Sequence, residues 1–151
     1  MNDRQIHAEV EIDAPPHRVW DVLTAFDDYE RWNPFLFEAR GEARAGETLE
    51  IRVDLPRQAQ KSFHPRVAAA RPGRELTWVG RLVLPGLFDG EHSFLIEPLD
   101  DGRRSLLIQH QNFRGLLVPL LSPDMEQAAR SGFEAMNEAL KREAETVEAA
   151  L

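Results

Sequence analysis

The stretch IDAPPHRVWDVLTAFDDYERWNPFLF, residues 12–37, decides the fold. Pro15 and Pro16 stand where a helix tolerates proline, in its first turn, because the N–H groups there have no intrahelical partner. Asp13 is the expected N-cap. Val19, Trp20, Val22, Leu23 and Phe26 form an apolar stripe at helical spacing. Asp27 and Asp28 are expected to cap a second short helix, which Pro34 stops, and Asn33 is expected to stabilise the corner that follows. Two short helices joined at an aromatic corner, entered from one strand and left into another, close one end of a sheet.

Working outward, Ile6, Ala8, Val10 and Ile12 alternate with His7, Glu9 and Glu11, the period of a half-buried strand. Residues 35–43 alternate less cleanly and end at Ala45-Gly46. Leu49, Ile51, Val53 and Leu55 alternate with polar residues until Pro56. Residues 62–70 read as a strand interrupted at Pro65, which implies an edge position or a bulge. Strands over 75–83, 88–99 and 104–113 complete about seven. Pro72-Gly73, Pro85-Gly86 and Asp101-Gly102 punctuate them, and the short connections predict antiparallel pairing.

The final segment changes period. Over residues 124–149, Met125, Ala129, Gly132, Phe133, Met136, Leu140, Ala144 and Val147 recur at spacings of three and four, with charged residues opposite. Ser122-Pro123-Asp124 supplies the start signals of this long amphipathic helix. The chain is thus expected to be α+β: a curved, seven-stranded antiparallel sheet wrapped around one long C-terminal helix, with two short helices after the first strand. No repeat or linker divides it, so residues 1–151 are expected to form a single domain.

Composition narrows the function classes. The 18 basic and 26 acidic residues give a net charge of −8, which argues against a nucleic-acid surface and against electrostatic docking to anionic lipid. The absence of cysteine removes disulfides, thiol chemistry and Cys-ligated zinc. The first residues, MNDRQIHAEVEI, lack the apolar core of a signal peptide. No apolar run approaches the ~18 residues of a membrane span. A cytoplasmic protein without stable membrane insertion, monomeric or homodimeric, is expected.

Four segments carry a family resemblance: IDAPPHRVWDVLTAFDDYERWNPF (12–35), GLFDGEHSFLIEPL (86–99), QNFRGLLVPLL (111–121) and GFEAMNEALKREAE (132–145). Together they resemble the START-like, or SRPBCC, superfamily with its helix-grip fold, and within it the bacterial polyketide cyclase/dehydrase-like branch. The resemblance covers essentially the whole chain. It implies a hollow between sheet and helix that holds a small hydrophobic or amphipathic molecule, and it implies no cofactor.

Several residues are candidates to line such a space. Trp32, Phe35, Phe37, Phe63, Trp78, Phe88, Phe94, Phe113 and Phe133 form an aromatic set of the kind apolar pockets use, although each alone reads more readily as ordinary core and only the group favours a pocket. Gly132 costs a helix about 1 kcal/mol relative to alanine, so it marks close approach or space. His92 and His110 are the sharpest polar candidates, for ligand orientation or proton transfer near neutral pH. If the Asp101-Gly102 turn sets a simple register, both imidazoles point the same way. The competing reading is a partly buried histidine satisfied by backbone or Tyr29. A two-histidine metal site lacks an evident third ligand.

Strand 104–113 carries apolar residues on both faces, so parity leaves open which face is inside; the resemblance favours the one holding Gln111 and Phe113. Similar proteins often carry an acidic residue where Gln111 stands. An amide cannot transfer a proton as a carboxylate does, which favours hydrogen bonding to a ligand. Asn137, beside Met136 on the last helix, either reaches the same space or bonds to a loop. The apolar run 116–121, with Leu117 and Leu120, reads as a lid, a subunit contact or plain loop packing.

Three functions follow. The first is binding of a lipid-, polyketide- or aromatic-like ligand between sheet and helix. The second is a cyclase or dehydratase acting in the same cavity by holding a reactive conformer. The third is a co-chaperone-like interaction module using the 116–121 rim.

Overall fold

The structure, a computed structural model, describes residues 3–54, 61–81, 89–115, 119 and 122–150. Its strands are β1 (Asp3–Ile12), β2 (Glu38–Arg40), β3 (Glu50–Val53), β4 (Lys61–Phe63), β5 (Arg66–Arg71), β6 (Glu75–Arg81), β7 (Asp89–Leu99) and β8 (Arg104–Arg114). They form a five-stranded antiparallel sheet ordered β1-β8-β7-β6-β5 and a three-stranded one ordered β2-β3-β4.

Eight strands stand where seven are expected because the expected strand over 62–70 divides at Pro65. Proline offers no ladder N–H, and here its carbonyl accepts from Leu49 N–H at 2.8 Å. A bridge between Thr48 and Arg66, with bonds of 2.8 Å from Gly46 N–H to Val67 and from Val67 N–H to Glu47, ties the two sheets together at that point. The β-layer therefore turns a corner at Pro65 rather than running flat. The hairpin between β7 and β8 closes through Asp100, Asp101 and Gly102, all with positive φ, a conformation that an aspartate–glycine turn accommodates at low strain.

The helical corner is α1 (Pro16–Thr24), a single 3₁₀ turn (Phe26–Asp28) and α2 (Tyr29–Trp32). Neither Asp13 nor Asp28 caps through its side chain. Helix α1 starts from Pro15, whose carbonyl accepts from Arg18 and Val19; with prolines at the cap and first position, two of the N–H groups that usually need capping do not exist. The Asp13 N–H instead donates to Glu145 on the last helix at 2.8 Å. Asn33 does hold the corner: its buried Oδ1 accepts from the N–H groups of Phe35 (3.0 Å) and Leu36 (2.9 Å). Tyr29 is fully buried and donates its hydroxyl to the Leu23 carbonyl, leaving it no bond to either histidine candidate.

The last helix, α3 (Pro123–Ala150), begins with Ser122 Oγ accepting from Met125 N–H at 3.1 Å. Its stripe of Phe133, Met136, Leu140 and Ala144 is buried against the concave side of the five-stranded sheet, where Ile6, Leu76, Phe94, Ile96 and Leu107 meet it. Each such large side chain removed from water contributes roughly 1.5–3 kcal/mol. No helix among the described residues is long and apolar enough to cross a membrane.

Candidate polar site under the last helix

The register of β7 and β8 sets which side chains face α3. His92 stands opposite Gln111, and Phe94 opposite Gln109. Strand alternation then puts His92, Phe94 and Ile96 from β7, and Ser105, Leu107, Gln109, Gln111 and Phe113 from β8, on the inner face. Burial agrees: His92 is 5% exposed, and Phe94 and Gln109 are fully buried. The face of β8 that carries Gln111 and Phe113 is therefore the inner one.

His110 lies on the other face. It pairs with Ser93 and with His7, and its ring meets that of His7 edge-on, with centroids 6.2 Å apart. The two imidazoles expected to point the same way point in opposite directions. The reason is the pairing of His92 with Gln111: one residue of offset from the register that aligns His92 with His110 reverses the face.

On the inner face, His92 is held on four sides. Its ring stacks on Trp78 (centroids 5.5 Å apart, 23° between planes) and touches Phe94 at 4.6 Å and Phe133 at 4.9 Å. Nδ1 lies 2.7 Å from Gln111 Oε1, and Nε2 lies 2.9 Å from Gln109 Oε1. Gln109 spends its own N–H groups on the Phe133 carbonyl (3.2 Å) and Asn137 Oδ1 (2.6 Å). Gln111 donates to the carbonyls of Glu91 (3.1 Å) and Asn112 (3.2 Å). Burial pushes the His92 pKa down to about 4, against the two glutamine contacts that pull it up, with a smaller lowering from His110. The ring is uncharged at neutral pH. Asn137 is 2% exposed and its Nδ2 has no partner, which leaves one buried donor unsatisfied beside this chain of amides.

The expected hollow between helix and sheet is closed along this middle section. A Cβ on Gly132 would fall 2.2 Å from the Phe35 ring, and Phe35 packs edge-on against Phe133 with centroids 5.5 Å apart. Gly132 thus marks close approach rather than space, and Met136 is fully buried beside it. Trp32 is half-buried against Tyr29. Phe37 is half-buried with the Arg52 guanidinium 5.2 Å over its ring. Neither reaches the cluster around His92.

One end of the interface is built differently. Gly80 of β6 pairs with Gly90 of β7, both on the inner face, so two neighbouring positions carry no side chain. Over this glycine floor lie Phe63, beside Gly80, and the Gln111 amide and Phe113, beside Gly90, all half-buried. A Cβ at Gly80 would sit 3.8 Å from Phe63 and Pro65, in ordinary contact, whereas one at Gly90 would press on Gln111 Nε2 at 3.1 Å. Gly90 is what lets the Gln111 amide lie across β7 and reach His92. Phe88, Leu117 and Leu120 fall outside the described residues.

Two surface depressions are also present, one of them on the opposite face of the same glycine pair. A groove of about 710 Å³ runs over the outer face of the same strands, walled by His64, Arg66, Val79, Asp89, Glu91, Asn112 and Arg114 with Gly80 and Gly90 in its base. Its mixed charge and open position suit an apolar molecule less well than the inner floor does. A second, of about 470 Å³, lies between Phe26, Asp27, Glu30 and β2. Among the described residues no cluster of three or more His, Asp or Glu side chains stands ready for a metal ion.

Gln109, Gly80 and Gly90 were not among the sequence candidates. Gln109 carried a signal, a glutamine alternating with Leu107 on what had to be a core strand. The glycines carried none, because their meaning lies in the pairing of β6 with β7.

A curved antiparallel sheet closed by two short helices and gripping one long helix defines a START-like (SRPBCC) protein. The chain belongs to the family described as polyketide cyclase / dehydrase and lipid transport, which matches residues 3–145. Among solved structures it is similar to the ZhuI aromatase/cyclase of Streptomyces sp. R1128, at 21% identity and a TM-score of 0.75, over 95% of this chain and 94% of that one. A START superfamily protein from Mycobacterium smegmatis matches at 21% identity and 0.75, over 95% and 98%. A Thalictrum norcoclaurine synthase point mutant, in complex with a transition-state analogue, matches at 12% and 0.68, over 97% and 96%. At these identities the likeness is one of fold. No curated protein matches the sequence.

Proposed function

We propose that this chain, acting as a single START-like domain, binds a small hydrophobic or amphipathic molecule at the Gly80–Gly90 end of the sheet–helix interface. The observation that carries the reading is the cross-strand glycine pair on the inner face, rimmed by Phe63 and Phe113 and ending at the Gln111–His92 contact. Apolar walls converging on a few placed polar atoms are what small-molecule sites offer. The family and its structural neighbours support a ligand-binding fold of this kind.

Binding is favoured over proton-transfer catalysis by the state of His92. Buried and uncharged, it holds no proton to give as a strong acid. Both ring nitrogens also face amide oxygens, at 2.7 and 2.9 Å, so neither stands open to a substrate while Gln111 is in place.

Gly80→Phe tests the proposal, since a Cβ there meets only the Phe63 and Pro65 side chains, at 3.8 Å, and the added ring would occupy the floor. Thermal-shift and calorimetric titration with 1-naphthol and related apolar probes should show binding to the wild type. Binding should be lost in a variant that melts cooperatively. Equal binding by both proteins, or stabilisation of neither by any apolar probe, would refute the site.

A further inference from the structure

The amide chain through His92 is one proton short. Its ends are fixed by backbone carbonyls, which only accept. Phe133 C=O takes one N–H of Gln109, and Asn137 Oδ1 takes the other. Glu91 and Asn112 C=O take both N–H groups of Gln111. Each glutamine therefore turns its oxygen toward the ring, and His92 would have to donate from both nitrogens. A neutral imidazole has one N–H. Burial keeps the ring neutral, with its pKa lowered to about 4, so one acceptor faces another somewhere along the chain.

Where the mismatch falls is decided by solvent. At the Gln109 end every member is sealed: Gln109 is 0% and Asn137 2% exposed. An acceptor facing an acceptor there would carry the full desolvation penalty of a buried polar group. Gln111 is half-buried and borders the glycine floor. If its amide turns outward, water can satisfy it. The proton of His92 accordingly sits on Nε2, bonded to Gln109, and Nδ1 keeps a lone pair that Gln111 Oε1 faces at 2.7 Å and that opens toward the floor when this amide turns away.

We propose that the ligand completes this chain with a hydroxyl donor: its O–H bonds to His92 Nδ1 while its apolar body lies over Gly80 and Gly90 and Gln111 swings out to solvent. This deepens the proposed function, resting on the same floor, and names the ligand as a hydroxylated hydrophobic molecule, a phenol or an alcohol. A ketone, ether or hydrocarbon of the same shape brings no proton to the site. A carboxylate brings another acceptor.

The test compares 1-naphthol with 1-methoxynaphthalene and naphthalene by calorimetric titration of the full chain at pH 7, each against wild type and Gly80→Phe. Naphthol should bind about tenfold more tightly than the other two, the effect of one hydrogen bond to a buried group, and Gly80→Phe should abolish all binding. In long-range ¹⁵N–¹H spectra the free protein should show His92 protonated on Nε2, and naphthol should shift the Nδ1 resonance upfield. Equal affinities for the three probes, all lost in Gly80→Phe, would leave the binding site standing and overturn the hydroxyl donor. So would a proton found on Nδ1 in the free protein. Failure of every probe to bind would overturn the site and the donor together.

Discussion

Phe35 covers Gly132 so closely that a single added carbon on the glycine would sit 2.2 Å from its ring. That contact locks the helical corner onto the last helix, and it closes the middle of the sheet–helix interface. Gly132→Ala gains about 1 kcal/mol of helix propensity but must displace a buried ring. The variant is expected to lose 1–3 kcal/mol net, as overpacked cores do. Urea denaturation of Gly132→Ala, Phe35→Leu and the double variant would show the coupling. Additive losses in the cycle would mean the two residues do not constrain each other.

Asn33 is the second fastening of the corner. Asn33→Ala leaves the N–H groups of Phe35 and Leu36 without the acceptor they share. A loss of about 2–3 kcal/mol in chemical denaturation is expected. A loss below 0.5 kcal/mol would show that water or a shifted backbone replaces the side chain.

His92 gives stability a specific pH dependence. In the unfolded chain it titrates near 6.5, and in the folded one near 4 because burial opposes its charge. Between these values the unfolded chain binds the extra proton, so folding stability rises with pH across the window and levels off above it. The contribution is present in full above about 6.5 and lost as the pH falls to about 4, some 3 kcal/mol at most. Comparison with His92→Gln cancels the carboxylates common to both proteins. Denaturation series at pH 4.5 and 7 should therefore show a steeper acid-side fall in the wild type than in the variant. Parallel curves would place the histidine in contact with solvent.

Tyr29 tests the packing beneath the corner. Tyr29→Phe removes the hydroxyl that satisfies the Leu23 carbonyl in a fully buried setting. A melting-point decrease corresponding to about 1–2 kcal/mol is expected. An unchanged melting point would imply that the carbonyl finds another donor.

Much of this architecture was legible in residue order. Alternation in residues 6–12 and 49–53 marked strands, Pro65 marked a break, and the spacing of Phe133, Met136, Leu140 and Ala144 marked the buried stripe of the last helix. Asn33 announced its own role, because a short amide after a helix end bonds to nearby backbone whatever lies further away. The Asp13 cap was misread because two prolines remove the groups it would serve. The site was much less legible. His92 and His110 are equivalent candidates in the sequence, each between two polar neighbours, Glu91 and Ser93 in one case and Gln109 and Gln111 in the other.

Local chemistry thus determined the elements: side-chain period, proline and short polar side chains act over three or four residues, and the chain carries that information within itself. The tertiary structure alone decided that His92 faces inward, that Gly132 lies tight under Phe35 while Gly80 pairs with Gly90 beneath the Gln111 amide, and that two glutamines aim their oxygens at one ring. The glycine pair and the polar cluster depend on the registers of β6 with β7 and of β7 with β8, and the cover over Gly132 on how the helical corner packs against the last helix. Moving a strand by one residue exchanges its faces while leaving its own alternation unchanged.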